Sequence, residues 1–118
     1  MPRRIRGEIS YLEDMLAFTR EVLAFTHGRS RADYDTDLGL RRSVERATEL
    51  IGEAATNISD QTRLRYSEIP WRKIIGQRNV LIHDYGDVDD ELVWNLVELE
   101  IPKLELILDR IVKEGLAE

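Results

Sequence analysis

The sequence predicts an all-α protein, an up-and-down four-helix bundle with an additional short helix. Apolar residues recur at three- and four-residue intervals along most of the 118 residues, which is the spacing of a buried helix face. The composition is rich in helix formers, prolines number only three, and no alternating apolar and polar run is long enough to indicate a strand. The length suits one domain, residues 1–118, around a single core.

The first two main helices are predicted from their apolar faces. A helix of roughly residues 8 to 27 would end at His27 and Gly28. Its apolar face contains Ile9, Leu12, Leu16 and Leu23. After a polar loop, Thr36 or Asp37 can cap a second helix. The apolar residues of that helix keep the 4-3-4-3-4 spacing of a bundle seam: Leu40, Val44, Ala47, Ile51, Ala54 and Ile58.

Small residues occupy the middle of this second helix, at Gly52, Ala54 and Ala55. A neighbouring helix can therefore approach closely there, because little side chain stands between the two backbones. The cost is the poor helix propensity of Gly52, which lies in a helix interior. We expect a close helix–helix contact at this point.

A short helix at residues 61–66 and a fourth helix follow the second helix. The fourth helix is predicted from Trp71 to about His83 or Tyr85. Pro70 lies near its first turn, where the missing backbone N–H of proline is tolerated because that N–H has no partner inside the helix.

A long last helix is predicted after Gly86, from about residue 90 to 114, with Asp87 or Asp89 as its cap. Pro102 should either kink this helix or be absorbed where the turn is locally opened. The helix carries its own buried stripe, formed by Val93, Val97, Ile101, Leu104, Leu108 and Ile111.

Composition excludes several kinds of site. Without cysteine the chain has no disulfide, no thiolate metal site and no cysteine nucleophile. No apolar stretch approaches the ~20 residues that span a bilayer, so we expect a cytoplasmic protein without membrane contact. Four acids near the start of the last helix lack the glycine and glutamate of an EF-hand calcium loop, so no metal site is expected: Asp84, Asp87, Asp89 and Asp90.

Charge is distributed unevenly along the chain. The net charge of −6 argues against a general nucleic-acid coat. Residues 87–118 hold ten acids against three bases, whereas residues 61–78 hold five bases and one acid. Both segments could simply be solvated helix faces. An anionic ligand, if there is one, belongs near the five bases of the second segment: Arg63, Arg65, Arg72, Lys73 and Arg78.

The stretch RNVLIHDYG, residues 78 to 86, places polar residues within an apolar helix face. Arg78 falls in the middle of that face, where a charged group is costly unless it is paired or borders a cleft or a partner. His83 lies about 140° round the helix and about 7.5 Å further along it. The two side chains would meet if the helix unwound at His83 and Asp84, or if they converged with copies from a second chain across a two-fold axis. We favour the second arrangement, a homodimer with a composite site.

Structural interpretations of the same residues remain open. His83 could be a cap or dipole partner at a helix end, and Tyr85 could be a packing ring. Arg78 could form an ion pair with one of three nearby acids, Asp84, Asp87 or Glu91. Spacing alone does not choose between these roles and a functional one.

Three blocks in order carry a family resemblance: ERATELIGEAATNIS (45 to 59), EIPWRKIIGQRNVLIHDY (68 to 85) and VDDELVWNLVELEIPKL (88 to 104). Together they resemble the HepT-like branch of the HEPN superfamily, the toxin halves of HepT/MntA toxin–antitoxin pairs, over roughly residues 8 to 113. The family motif is arginine, four residues, histidine, any residue, tyrosine. Arg78, His83 and Tyr85 match it, and Asn79 supplies the usual polar residue after the arginine.

The resemblance implies a HEPN-like helical bundle that acts as a homodimeric, metal-independent RNA endonuclease without a cofactor. It implies Arg78 and His83 as the catalytic pair, supported by Asn79. Because the chain is acidic overall, RNA would be held by a local basic patch of Arg72, Lys73 and Arg78, doubled across the dimer.

The resemblance also implies a partner, an MNT-type nucleotidyltransferase antitoxin that can transfer adenylate to the motif tyrosine, here Tyr85. An alternative function belongs to another class. In it the chain is a non-catalytic helical binding module that pairs with a nucleotidyltransferase and supplies a nucleotide or substrate pocket. Arg78 would then hold phosphate, and His83 would only cap its helix.

Overall fold

The computed structural model describes residues 3–83 and 89–117, with side chains for residues 7–82 and 89–115. Every regular element within these ranges is helical, so the all-α prediction is confirmed. The elements are α1 (Arg3–Thr26), α2 (Arg31–Thr36), α3 (Leu38–Thr56), α4 (Asp60–Arg65), α5 (Trp71–His83), α6 (Asp90–Asn95), a π-helical turn (Leu96–Glu100) and α7 (Ile101–Ala117). In the described part of the chain, no helix is both long and apolar enough to cross a membrane.

Helix α3 lies at the centre of the bundle. It packs against α1 on one side and α5 on the other, and α1 packs against α7. The predicted α3 seam is confirmed, since all six of its residues, from Leu40 to Ile58, are buried. Burial of each large aliphatic side chain in this seam stabilises the fold by roughly 1.5–3 kcal/mol. This packing makes α3 the surface on which α5, the helix of the RNVLIHDYG motif, is placed.

Helix α2 occupies part of the predicted polar loop. Ser30 caps it in a reciprocal capping box: the Ser30 hydroxyl accepts from the Asp33 backbone N–H, and the Asp33 carboxylate accepts from the Ser30 backbone N–H. The buried ring of Tyr34 packs against Trp94, with ring centroids 5.4 Å apart. A helix of one or two turns shows no apolar periodicity, so only the Ser30–Asp33 pair marks it in the sequence.

Two predicted caps are found at helix starts. The Asp37 side chain accepts from the backbone N–H of Leu40 and begins α3. Asp89 accepts from the backbone N–H groups of Glu91 and Leu92 and begins α6. Asp87, the alternative cap, lies outside the described residues. These carboxylates satisfy backbone donors that have no partner inside their helices.

The expected accommodation of Pro102 is confirmed. The π-helical turn Leu96–Glu100 comes just before it, and the N–H of Ile101 donates to the Leu96 carbonyl, a five-residue step. Such a widened turn re-pairs the backbone where proline offers no N–H. The predicted buried stripe needs the same widening, because two four-residue steps from Val93 to Ile101 would rotate it by about 80° in a regular α-helix. All six stripe residues are buried.

Candidate functional site

The start of α5 is fastened to the end of α4. The indole Nε1 of Trp71 donates to the backbone carbonyls of Arg63 and Tyr66, both at 3.1 Å. The Ile74 N–H donates to the carbonyl of Pro70 at 3.0 Å, which closes the first turn of α5. Ile69, Trp71 and Ile74 are buried beneath this junction. Helix α5 is therefore held firmly at its first turns, upstream of the motif.

Helix α5 then crosses α3 at Gly52, as the small residues there predict. A Cβ atom built on Gly52 would lie 2.3 Å from the Cβ of Arg78 and 2.9 Å from the backbone oxygen of Ile74. Ordinary van der Waals contact begins at 3.4 Å. The stem of Arg78 thus lies directly on the backbone of α3, with no room for a side chain between them.

The guanidinium of Arg78 has no carboxylate partner in the described part of the chain. Its Nη1 donates to Asn79 Oδ1 at 3.0 Å, while its Nε is buried and has no hydrogen-bond partner among the described residues. The ion pair with Glu91 that the sequence left open is absent. The other two candidates, Asp84 and Asp87, lie outside the described residues. An arginine in this state keeps donor groups available for an anion.

His83 is the last residue of α5, and its side chain lies outside the described residues. Because α5 is helical from Trp71 to His83, the motif arginine and histidine lie about 140° apart round one helix. This is the separation for which the sequence favours a homodimer with a composite site. Tyr85 lies outside the described residues.

An open groove of about 500 Å³ lies beside the first half of α5. It is lined by Arg63, Trp71, Arg72, Ile75, Gly76 and Asn79. Arg63 donates from Nη2 to the Ala55 carbonyl at 3.0 Å, which directs its side chain across the helix junction. Arg72 is exposed and forms no ion pair with any described residue. The structure thus brings Arg72 and Asn79 together and adds Arg63, whose signal in the sequence was the basic segment 61–78.

Lys73 faces a different part of the molecule. Its Nζ forms an ion pair with Glu100 at 3.1 Å, bridging α5 to the π-helical turn. It lines a separate cavity of about 230 Å³ between these elements, and Arg72 and Asn79 do not line that cavity. The structure therefore does not bring Lys73 together with the other predicted positioning residues.

Apolar surface lies next to the motif. Val80 on α5 and Leu92 on α6 are 46% and 57% exposed. Both line a shallow cavity of about 90 Å³ that also contacts Leu81 and Val93. Exposed aliphatic side chains clustered around a cavity are typical of surfaces that bind another protein chain.

Comparison with known proteins places this geometry in context. A family model described as "Ribonuclease HepT-like" matches residues 15–111. "Probable ribonuclease HepT" of Thermococcus cleftensis is 36% identical over 85% of this chain and 91% of that protein. No solved structure matches the chain.

Two further relatives match over nearly their whole length. "Putative RNase TTE0752" of Caldanaerobacter subterraneus subsp. tengcongensis is 35% identical over 88% of this chain and 93% of that protein. "Putative RNase MJ1380" of Methanocaldococcus jannaschii is 33% identical over 81% of this chain and 88% of that protein. The family match over residues 15–111 includes α5 and the two helices that position it, α3 and α4.

Proposed function

Because the chain belongs to the HepT-like family of ribonucleases, we propose that it cleaves RNA internally, with Arg78 and His83 as its catalytic pair. The observation that carries this proposal is the state of Arg78. Its guanidinium contacts Asn79, has no carboxylate partner in the described part of the chain, and lies on the helix that ends at His83. Its Nε is buried without a hydrogen-bond partner among the described residues, which leaves a donor for a phosphate oxygen.

The proposed reaction uses the ribose of the substrate as nucleophile. His83 takes the proton from the 2′-hydroxyl, whose oxygen attacks the adjacent phosphorus, and the bond from phosphorus to the 5′-oxygen breaks. The His83 imidazolium formed in this step then returns the proton to that leaving oxygen. Arg78 holds the phosphate and stabilises the negative charge that grows on it. The products are a 2′,3′-cyclic phosphate and a 5′-hydroxyl, and DNA, which lacks the 2′-hydroxyl, is not cut.

The groove beside α5 is proposed to hold the RNA next to the cleaved bond. Arg72 and Arg63 offer positive charge to phosphates, and Asn79 offers its amide N–H₂ while its oxygen accepts from Arg78. Lys73 is proposed to contribute less to RNA binding, because it forms an ion pair with Glu100. The local patch explains how a chain with a net charge of −6 binds a polyanion.

A homodimer is proposed to complete the site. Arg78 and His83 lie about 140° apart round one helix, so they cannot easily reach the same phosphate. A second α5 across a two-fold axis supplies the histidine that faces the first chain's arginine. The exposed Val80 and Leu92 beside the motif support an interface there, because dimerisation would remove them from water. Each site would then use Arg78 of one chain and His83 of the other.

The chain is further proposed to be the toxin of a type II/VII-like toxin–antitoxin pair in the cytoplasm. Its partner would be an MNT-type nucleotidyltransferase that transfers AMP from ATP to the hydroxyl of Tyr85, releasing pyrophosphate. Tyr85 stands two residues after His83. An adenylate there would place an anion and a base beside Arg78 and His83, filling the phosphate site and neutralising its charge.

The deciding experiment is incubation of the purified chain, freed of any partner, with mixed tRNA and mRNA in excess EDTA. Analysis of the product ends should find 2′,3′-cyclic phosphates. The matched control is His83→Ala, which should fold and dimerise but leave RNA intact. A folded wild-type dimer that cuts nothing over a range of salt and RNA would contradict the proposal and favour a binding module in which Arg78 holds phosphate without chemistry.

A further inference from the structure

We propose that Gly52, on α3, is the positioning residue of Arg78: its missing side chain lets α5 lie directly on α3 and so sets where the guanidinium stands. The inference rests on the proposed function, since it concerns the arginine of that same site. No motif residue is near Gly52 in the sequence, and only the helix packing joins them.

The contact at Gly52 involves atoms that cannot move independently. The three atoms nearest to a Cβ built there are Arg78 Cβ at 2.3 Å, the Ile74 backbone oxygen at 2.9 Å and Arg78 Cγ at 3.0 Å. Two of these, the Cβ and the carbonyl oxygen, are fixed to the α5 backbone. A methyl group at position 52 must therefore push the helix itself outward, by about an ångström or more, to regain ordinary contact at 3.4 Å.

The contact involves Arg78, the residue of α5 that is proposed to hold the phosphate. Arg78 is held at its Cβ and Cγ, and the rest of its side chain extends to Asn79. Because the stem is pressed against a backbone, few rotamers remain open to it, and the guanidinium is pre-organised for a phosphate. A displacement of about 1 Å in a catalytic group can reduce the rate by about 10²-fold.

Helix propensity gives a second reason to connect Gly52 with function. Glycine is a poor residue for the interior of a 19-residue helix such as α3. Ala54 and Ala55, two and three residues further along α3, are buried, so alanine fits the packing at those positions. Among the glycines that the structure describes, Gly52 is the one at which a methyl group would collide with Arg78.

The test compares Gly52→Ala with Gly115→Ala in the full chain. Gly115 is also helical, and a Cβ built there meets only Ile9 Cγ1, at 3.9 Å. Cleavage of a defined RNA oligonucleotide should show kcat reduced about 10²-fold in Gly52→Ala, with KM changed less than about threefold, because Trp71 still holds Arg63 and the first turn of α5, with Arg72, in place. Gly115→Ala should match the wild-type protein in both constants.

A sulfur-substituted substrate separates misplacement of Arg78 from simple loss of folded protein. Replacing a non-bridging phosphate oxygen by sulfur weakens the charge-assisted hydrogen bond from a guanidinium. The ratio of cleavage rates on the oxygen and sulfur substrates should fall in Gly52→Ala toward its value in Arg78→Ala. Partial unfolding would lower both rates equally and leave the ratio unchanged.

Two variants of Arg78 test the contact itself. Arg78→Ala keeps the Cβ atom that would collide with a methyl group at position 52, whereas Arg78→Gly removes it. Adding Gly52→Ala should lower the melting temperature more in the Arg78→Ala background than in the Arg78→Gly background, where only the contact with the Ile74 backbone oxygen remains. If Gly52→Ala alone is too unstable to assay, the Arg78→Gly change should recover part of the lost stability, because it removes the nearest of the colliding atoms.

Each outcome bears on the inference. A wild-type kcat and a wild-type sulfur ratio in Gly52→Ala would overturn it while leaving the proposed function intact. Equal losses of melting temperature in the two Arg78 backgrounds, or no stability recovered by Arg78→Gly, would also overturn it. A wild-type protein that does not cleave RNA at all would overturn the proposed function, and the inference with it.

Discussion

The indole of Trp71 donates a shared hydrogen bond from Nε1 to the carbonyls of Arg63 and Tyr66, each at 3.1 Å. This one group joins the last turn of α4 to the first turn of α5. Arg63 is thereby held at the same groove as Arg72 and Asn79, although it precedes them by 9 and 16 residues.

Trp71→Phe tests this junction. Phenylalanine keeps most of the buried ring but removes the indole donor. The Tyr66 carbonyl still accepts from the Ile69 N–H at 3.1 Å, whereas the Arg63 carbonyl loses its side-chain donor. We expect the free energy of unfolding to fall by about 1–2 kcal/mol, measured in urea, because a buried hydrogen bond is lost and the Arg63 carbonyl is left without the indole donor. RNA affinity should weaken with it, since Arg63 loses its fixed backbone. An unchanged unfolding midpoint would mean that the ring alone holds the junction.

Arg72→Ala and Lys73→Ala form a matched pair on adjacent residues. Arg72 faces the groove without an ion pair among the described residues, so its loss should weaken binding of RNA by about tenfold. Lys73→Ala should have a smaller effect, because that lysine is engaged by Glu100 at 3.1 Å. Binding measured at several salt concentrations should show a shallower salt dependence for Arg72→Ala. Equal effects would indicate that net charge, and not the groove, holds the RNA.

Mixing two inactive variants tests the composite site. In a dimer of one Arg78→Ala chain and one His83→Ala chain, a site built from Arg78 of one chain and His83 of the other survives intact once per dimer. Equal mixing should therefore restore about a quarter of wild-type cleavage. A site built within one chain predicts no restoration, because each chain then carries one defect.

The interface of that dimer can be tested in the same assay. Val80→Glu, introduced into both chains, should give monomers by light scattering and abolish the restored cleavage, because it places a charge in the proposed contact. Leu64→Glu is the matched control, since Leu64 is 78% exposed on α4, and it should leave the dimer mass unchanged. A dimer that persists in Val80→Glu would place the interface elsewhere.

Tyr85→Phe tests regulation by the proposed antitoxin. The variant lacks the hydroxyl that accepts adenylate but keeps the ring, so it should cleave RNA like the wild-type protein. Co-expression with the nucleotidyltransferase should leave it toxic, and mass spectrometry should find no added AMP. Equal silencing of the variant and the wild-type protein would show that the antitoxin blocks the site without modifying it.

Asp37 gives the fold an acid-sensitive contact. The Arg29 guanidinium, which donates to Asp37 at 2.8 Å, lowers the pKa of the Asp37 carboxyl, and the Leu40 backbone N–H lowers it further. The carboxylate therefore stabilises the folded state above the unfolded pKa of about 4, and this stabilisation is lost as pH falls through the lower folded value. Asp37→Asn keeps a capping oxygen but removes the charge.

The expected result is a lower melting temperature for Asp37→Asn at pH 7 and a difference from wild type that shrinks as pH falls below the unfolded pKa of about 4. Asp37→Ala, which also loses the cap, should remain less stable than wild type throughout. A difference between Asp37→Asn and wild type that does not change with pH would mean that the charge of Asp37 has no role in stability.

Local patterns in the chain were sufficient for most of the helices. The seam of α3 and the stripe of α6 and α7 follow from three- and four-residue spacing, which depends only on residues within one helix. The capping residues and the local opening of the helix near Pro102 could be predicted for the same reason. Helix α2 was not, because it is too short for periodicity and is held by the contact of Tyr34 with Trp94, 60 residues further along the chain.

The sequence by itself determined the helical class, the family and the motif residues, because each is recorded in neighbouring positions along the chain. Tertiary structure alone decided that Arg63 joins Arg72 and Asn79, that Lys73 turns to Glu100, and that Arg78 lies on Gly52. These relationships depend on which helix faces cross and how closely their backbones approach. That distance is set at Gly52, where even one methyl group would part the two helices.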